Sequence, residues 1–325
     1  MARPVLVGFD PKTRDYAPVH FGIAVSQFTR APLIIASVQA GTGPIAVSAG
    51  QTLPYAVAGA DEDLVLDCSP ALEPLEQDLA GEGIAAECRA LTGMSVAGAL
   101  HAAAEAENAA LLVVGSTRRG AVGRVLPGST AERLLHGAPC PVAVVPRRWT
   151  RDGAPETIGV AFVDTPEGHE ALRSAHALAR RAGAKLRVLT VVRVTLTMYA
   201  ETEAKTAARR AKYLEDVLGE HQRAAVEAAR RAVASLDGDV DAEVDGFVGD
   251  PAETLVRVSE HLDLLVCASR GYGPLRAVLL GGVSRRVVDE ARCPVIVLPR
   301  GVKASLKALV ADAPEATAPI SARSS

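Results

Sequence analysis

One short phrase is written twice in this chain, and that repetition limits its architecture more than any other feature. Residues 140–147 read CPVAVVPR and residues 293–300 read CPVIVLPR, 153 positions apart in a chain of 325 residues. A period of nearly half the chain marks a duplicated domain. The length also suits two domains, each large enough to bury its own core without disulfides or metal. The expected boundaries are 1–148 for the first domain and 157–300 for the second. RWTRDGAPET, from Arg148 to Thr157, has the turn formers and charges of a linker, with Trp149 as a packing anchor. The segment 301–325, rich in Ala, Pro and Ser, lacks a sustained apolar face and is expected to be a disordered tail.

Within each copy, short apolar runs alternate with helical stretches. The first reads PVLVG, a helix over Tyr16–Thr29, PLIIASV, helices over Ala71–Ala80 and Ser95–Glu107 around IAAECRAL, then ALLVVG, a helix over Ser129–His136 and PVAVV. The second repeats the order from TIGVAFVD to PVIVL, with a long Ala/Arg/Glu-rich helix over Glu201–Leu236. Strands apolar on both sides and separated by helices require a parallel sheet covered on both faces. The fold class is α/β: two tandem doubly wound, Rossmann-like domains, each with a five-stranded, mostly parallel sheet. In such sheets ligands bind beyond the carboxyl ends of the strands, where strand order reverses. The residues expected there are Asp10, Val38, Gly115 and Gly128 in the first copy, matched with Asp164, Val191, Ala268 and Gly281 in the second.

The loop after the fourth strand carries the chemistry. LLVVGSTRRGAVGRVLPGST, Leu111–Thr130, closes a buried strand with glycine, continues through a basic, glycine-bearing loop, and opens a helix with Gly128-Ser129-Thr130. Free backbone N–H groups at that helix start, with two hydroxyls, suit a phosphate. The loop contains neither the G-K-[ST] of a Walker loop nor G-x-G-x-x-G with an acidic residue about 20 positions on. These residues, with the early aspartate and the final CPVxVV strand, resemble the universal stress protein family, specifically its tandem members, over residues 1–300. The family pattern after strand four is G-x2-G-x9-G-[ST].

The resemblance implies adenine and ribose beside the first two strands, at Asp10 and Val38. It also implies phosphates wrapped by the loop from Gly115 to Gly128, Ser129 and Thr130, the ligand being ATP with or without Mg2+. In the second copy it implies Asp164, Val191, Gly271, Gly281 and Ser284. It further implies that the fifth strands, 142–145 and 295–298, pair antiparallel between the domains, ended by Pro146 and Pro299. This leaves room for a homodimer of the whole chain. Arg118, Ala131, Ala268 and Gly282 depart from the pattern. A non-glycine residue in a left-handed conformation at Arg118 costs about 1–2 kcal/mol. A guanidinium-to-phosphate contact from Arg118 or Arg119, worth about 1.5–3 kcal/mol, offsets it. The first copy is therefore the better nucleotide site.

Plainer roles stand beside these. Asp10 and Asp164 also suit helix caps. Gly120 and Gly123 suit turn geometry, and Cys140 and Cys293 suit a core. Other chemistries lack residues. His101 with Glu105, and His169 with His176, are pairs where zinc needs three or four ligands. No G-x-S-x-G elbow is present, and no general base stands out. Thirty-five basic against 38 acidic side chains, a net charge of −3, disfavour a nucleic-acid partner. No apolar run reaches the roughly 18 residues that cross a bilayer. Five cysteines without a C-x-x-C pair suit a reducing compartment, the cytoplasm. The expected protein is a stress-responsive, non-catalytic adenine-nucleotide binder with no cofactor needed for folding. The alternatives are an interaction protein with two decayed pockets and, more remotely, a slow ATPase.

Overall fold

The computed structural model describes residues 3–40, 69–116, 129–151, 153–193, 207–269, 282–299 and 306–309. The first half runs β1 (Val5–Gly8), α1 (Ala17–Thr29), β2 (Leu33–Ala40), α2 (Ser69–Gly81), β3 (Glu87–Gly93), α3 (Val96–Ala106), β4 (Leu111–Gly115), α4 (Ser129–Gly137) and β5 (Val142–Val145). The second half runs β6 (Thr157–Ala161), α5 (Pro166–Ala182), β7 (Lys185–Val192), α6 (Ala207–Ala234), β8 (Ala242–Val248), α7 (Pro251–Val258), β9 (Leu264–Ala268), α8 (Gly282–Glu290) and β10 (Val295–Leu298).

The ten strands form one sheet in the order β3-β2-β1-β4-β5-β10-β9-β6-β7-β8. Pairing is parallel within each half and antiparallel at the single join, where Val295, Ile296 and Val297 face Val144, Ala143 and Val142. The repeated phrase is therefore the seam between the halves. Because the strands of the two halves run in opposite directions, their carboxyl edges open at opposite margins of the sheet.

Alternation along the strands fills two cores. Val5, Val7, Ile35, Leu111 and Val113 are buried on one face with residues of α1, α2, α5 and α6. Leu6, Ile34, Leu112, Val114 and Leu134 are buried on the other with α3, α4, α7 and α8. Each fully buried Val, Leu or Ile contributes roughly 1.5–3 kcal/mol of transfer free energy. Both cores cross the seam, so the halves share their apolar interior rather than meeting at a polar contact.

Local signals set the helix ends. Ser95, Thr165 and Asp250 cap α3, α5 and α7 by accepting from the N–H of Gly98 (3.1 Å), Gly168 (3.2 Å) and Glu253 (2.9 Å). Gly183 closes α5 with φ +68°. The Thr165 cap followed by Pro166 sets the start of α5.

Trp149 is an anchor, set edge-on to Phe21 with ring centres 5.5 Å apart. Nearby, Asp263 accepts from the N–H groups of Glu156 and Thr157, both at 2.9 Å, and pairs with Arg151, which ties the connecting segment to the second half. The expectation of disorder throughout 301–325 needs correction. Residues 306–309 form a 3-10 turn against α5, with Leu306 at 0% and Leu309 at 1% exposure. Burial of two leucines offsets the entropy of ordering four residues. The rest of that segment lies outside the described residues. Cys140, Cys267 and Cys293 are free and buried, and burial pushes the first two thiols up to about 12 and the third higher still, so they are core residues. Among the described residues no helix is long and apolar enough to cross a membrane.

Candidate functional site

In the first half, β1 ends at Gly8 and the chain turns at Asp10. The carboxylate Oδ1 of Asp10 accepts from the Lys12 N–H at 3.0 Å and its carbonyl accepts from the Thr13 hydroxyl at 2.7 Å, capping a 3-10 turn over Pro11–Thr13. The capping role is thus real, and it fixes an exposed carboxylate at the carboxyl edge. The longer helix α1 has Tyr16 at its N-cap, and Asp15 just before it accepts from the Ala17 N–H through Oδ1 at 3.3 Å. Tyr16 leans on Phe9, ring centres 5.2 Å apart, and leaves its outer face exposed beside that turn.

Val38 is half-buried near the end of β2 and packs toward the core that holds α3 and α4. Gly115 ends β4, next to β1. A Cβ there would stand 3.0 Å from Pro18 Cγ, so this glycine also lets α1 approach the sheet. Ser129 opens α4 and Thr130 is half-buried in its first turn. Arg118, Arg119, Gly120, Gly123 and Gly128 lie outside the described residues. The first-half residues that are described do share one margin of the sheet, and α4 begins on the face toward which Val38 packs.

Sequence reasoning missed Ser116. It follows Gly115, its N–H donates to the Val145 carbonyl at 2.9 Å, and its Oγ is buried without a hydrogen-bond partner. Alternation along β4 puts it on the face of Leu112 and Val114, which is the face of α4. A buried hydroxyl without a partner costs about 1–3 kcal/mol. A polar ligand held between β1, β4 and α4 would recover that cost. These groups fit a nucleotide: an exposed carboxylate for ribose or base, an apolar wall at Val38, and an unpartnered hydroxyl on the face of the sheet that α4 covers.

The second half is built differently at the same place. Strand registers superpose residue n on residue n + 153: Val5 faces Leu33 and Leu111, and Ile158 faces Leu186 and Leu264. One step further on, the Phe9 N–H donates to Ala36 at 2.9 Å and the Phe162 N–H donates to Leu189 at 2.8 Å. The counterpart of Asp10 is therefore Val163, 41% exposed, and not Asp164 as the sequence suggested. The chain makes a tighter turn here, in which the Thr165 N–H donates to the Val163 carbonyl at 2.7 Å, and α5 begins at Pro166.

Asp164, one place beyond, has Oδ1 2.8 Å from Nε2 of His169, whose ring sits edge-on to Phe162. Val191 is half-buried. Ser284 spends its hydroxyl on the Ala268 carbonyl at 3.1 Å, tying α8 to the end of β9. At the corresponding place in the first half stands Ala131, buried and without a hydroxyl. Gly271 and Gly281 lie outside the described residues. Arg286 lies 3.1 Å from Asp250 and Arg193 lies 3.8 Å from it, so two guanidiniums near this margin already face an internal carboxylate. The described groups of the second half are apolar or engaged with one another, and they fit a nucleotide poorly.

Among the described residues, no group of three or more His, Cys, Asp or Glu is placed to hold a metal ion. A family model described as the universal stress protein family matches residues 1–146 and again residues 155–299. A universal stress protein of Mycobacterium tuberculosis is 30% identical over 217 residues, covering 63% of this chain and 69% of its own. Another, from Mycolicibacterium smegmatis, is 29% identical over 312 residues, covering 90% and 96%. Among solved structures, a putative universal stress protein from Pseudomonas aeruginosa superposes with a TM-score of 0.61 at 18% identity, over 95% of this chain and 98% of that one. One from Archaeoglobus fulgidus gives 0.59 at 21%, over 93% and 97%. At those identities the structures speak for the fold alone. With two matches spanning most of its length, this chain belongs to the universal stress protein family and carries the family's domain twice.

Proposed function

We propose that the first half binds an adenine nucleotide, ATP, and that the protein acts as a stress-responsive regulatory binder rather than an enzyme. The observation that carries this reading is the asymmetry between the halves. At the first margin Asp10 is exposed and the Ser116 hydroxyl is buried without a partner, whereas at the second stand Val163 and the internally bonded Asp164 and Ser284. In this reading Asp10 accepts from the ribose or base, Val38 covers the adenine, and the first turn of α4 at Ser129 and Thr130 donates to phosphate. The chain's residues bind and orient. None is placed as a general base, and hydrolysis is not part of the proposal. The reading puts the protein in the cytoplasm, in keeping with its free cysteines.

A pure interaction role is favoured only for the second half, by the internal bonds just named. The reading is tested by melting the chain with increasing ATP. A ligand at 100 times its dissociation constant stabilises the native state by about 2.7 kcal/mol, which raises the melting temperature by roughly 4 °C. No rise at millimolar ATP, with no nucleotide released from the purified chain by acid, would remove it.

A further inference from the structure

The seam between the halves joins two copies of one surface, so it has an approximate twofold axis. At such an axis each residue that meets its own counterpart sits at a single special position. The register identifies one of these positions: Ala143 faces Ile296, and these are the same place in the two copies, 153 residues apart. Both are fully buried, in the core shared by α1 and α5. A second special position lies on the opposite face of the sheet. Glu132 of α4 and Arg285 of α8 are again 153 residues apart, and they form an ion pair of 2.8 Å across the seam.

At both positions the two copies carry complementary residues rather than the same one, small against large and negative against positive. From this we infer that the seam is coded for pairing of unlike halves: a first half fits a second half and rejects another first half, and the converse. Two first halves would set alanine against alanine, leaving a gap three carbons wide at the axis, and glutamate against glutamate. Two second halves would force isoleucine against isoleucine in the same space and arginine against arginine. Underpacking and overpacking are both unfavourable, and like charges at the rim add repulsion against the wrong partner. The rest of the strand contact is indifferent to this choice, because Val142, Val144, Val295 and Val297 are alike in both copies. At the axis itself, discrimination therefore rests on these two positions, one on each face of the sheet. The partner that the first half fits is the second half of this same sequence, so the tandem chain is a fused pair of unlike subunits.

The test uses four full-length chains: the parent, E132R/A143I, R285E/I296A, and the exchange carrying all four substitutions. Pairing is read by the rate at which a protease cuts the connecting segment 147–156, and by whether the chain unfolds in one step. Both half-exchanged chains, which present like against like, should be cut at least about tenfold faster than the parent. The fourfold exchange restores small against large and negative against positive with the partners reversed, and should return to within about twofold of the parent. Half-exchanged chains that fail to fold while the fourfold exchange folds would support the inference equally. A fourfold exchange as labile as its two parts would overturn it, as would half-exchanged chains indistinguishable from the parent.

Discussion

A Gly168→Ala chain should melt at least roughly 4–5 °C below the parent, a loss of about 3 kcal/mol or more. Gly168 lies in the first turn of α5, directly over the turn that replaces the aspartate corner of the first half. A Cβ built there would stand 1.9 Å from the Val163 carbonyl oxygen and 3.0 Å from its carbon. These are backbone atoms, so no rotamer change relieves the clash. The chain must displace either Val163 or the start of the helix. That oxygen also accepts from Thr165, and Thr165 in turn caps α5 through Gly168 itself, so a shift at one residue loosens both bonds. Gly219→Ala in α6 is the control, since its Cβ meets nothing within 4 Å. Alanine in that helix should stabilise by about 0.4–1 kcal/mol. A Gly168→Ala chain melting with the parent would mean that the turn at Val163 is not built as described.

Asp10→Ala should raise the dissociation constant for ATP by about 10–100-fold, as expected for the loss of a charge-assisted hydrogen bond, while Asp164→Ala leaves it within about twofold. The contrast follows from the strand registers, which put Asp10 at the sheet margin and place Val163, not Asp164, at the matching point. Asp164 is instead engaged by His169 at 2.8 Å. Because Asp10 also caps the 3-10 turn at Pro11–Thr13, Asp10→Asn is the informative companion. It keeps an oxygen for the Lys12 N–H and removes the charge, so weaker binding with an unchanged melting temperature would separate recognition from folding. Equal losses on substituting Asp10 and Asp164 would contradict the asymmetry.

Most of the architecture was legible because parallel strands buried on both faces are apolar runs, and ALLVVG and DLLVCAS can scarcely be anything else. The duplication was legible because it repeats the fifth strand, and that strand's role as the seam followed from the family resemblance. The site was legible only in part. Matching Asp10 to Asp164 by eye is an error of one residue, and one residue at a strand end decides which side chain faces the margin. The repeat of 153 residues already hints at it, since these two aspartates are 154 apart, and the hydrogen-bond registers of Phe9 and Phe162 establish it. Ser116 was missed because a serine after a strand carries no signal until its hydroxyl is seen to be buried and unsatisfied. Leu306 and Leu309 escaped because four residues are too few for apolar periodicity to show, and their burial depends on α5, more than a hundred residues earlier.

The central claim, that two copies of one domain present one nucleotide site, is tested most directly by counting. Equilibrium dialysis of the intact chain against labelled ATP should saturate at one nucleotide per chain, and Asp10→Asn should weaken that single class of site. Saturation at two per chain, or a single site that survives Asp10→Asn and is lost in Asp164→Asn, would contradict the account.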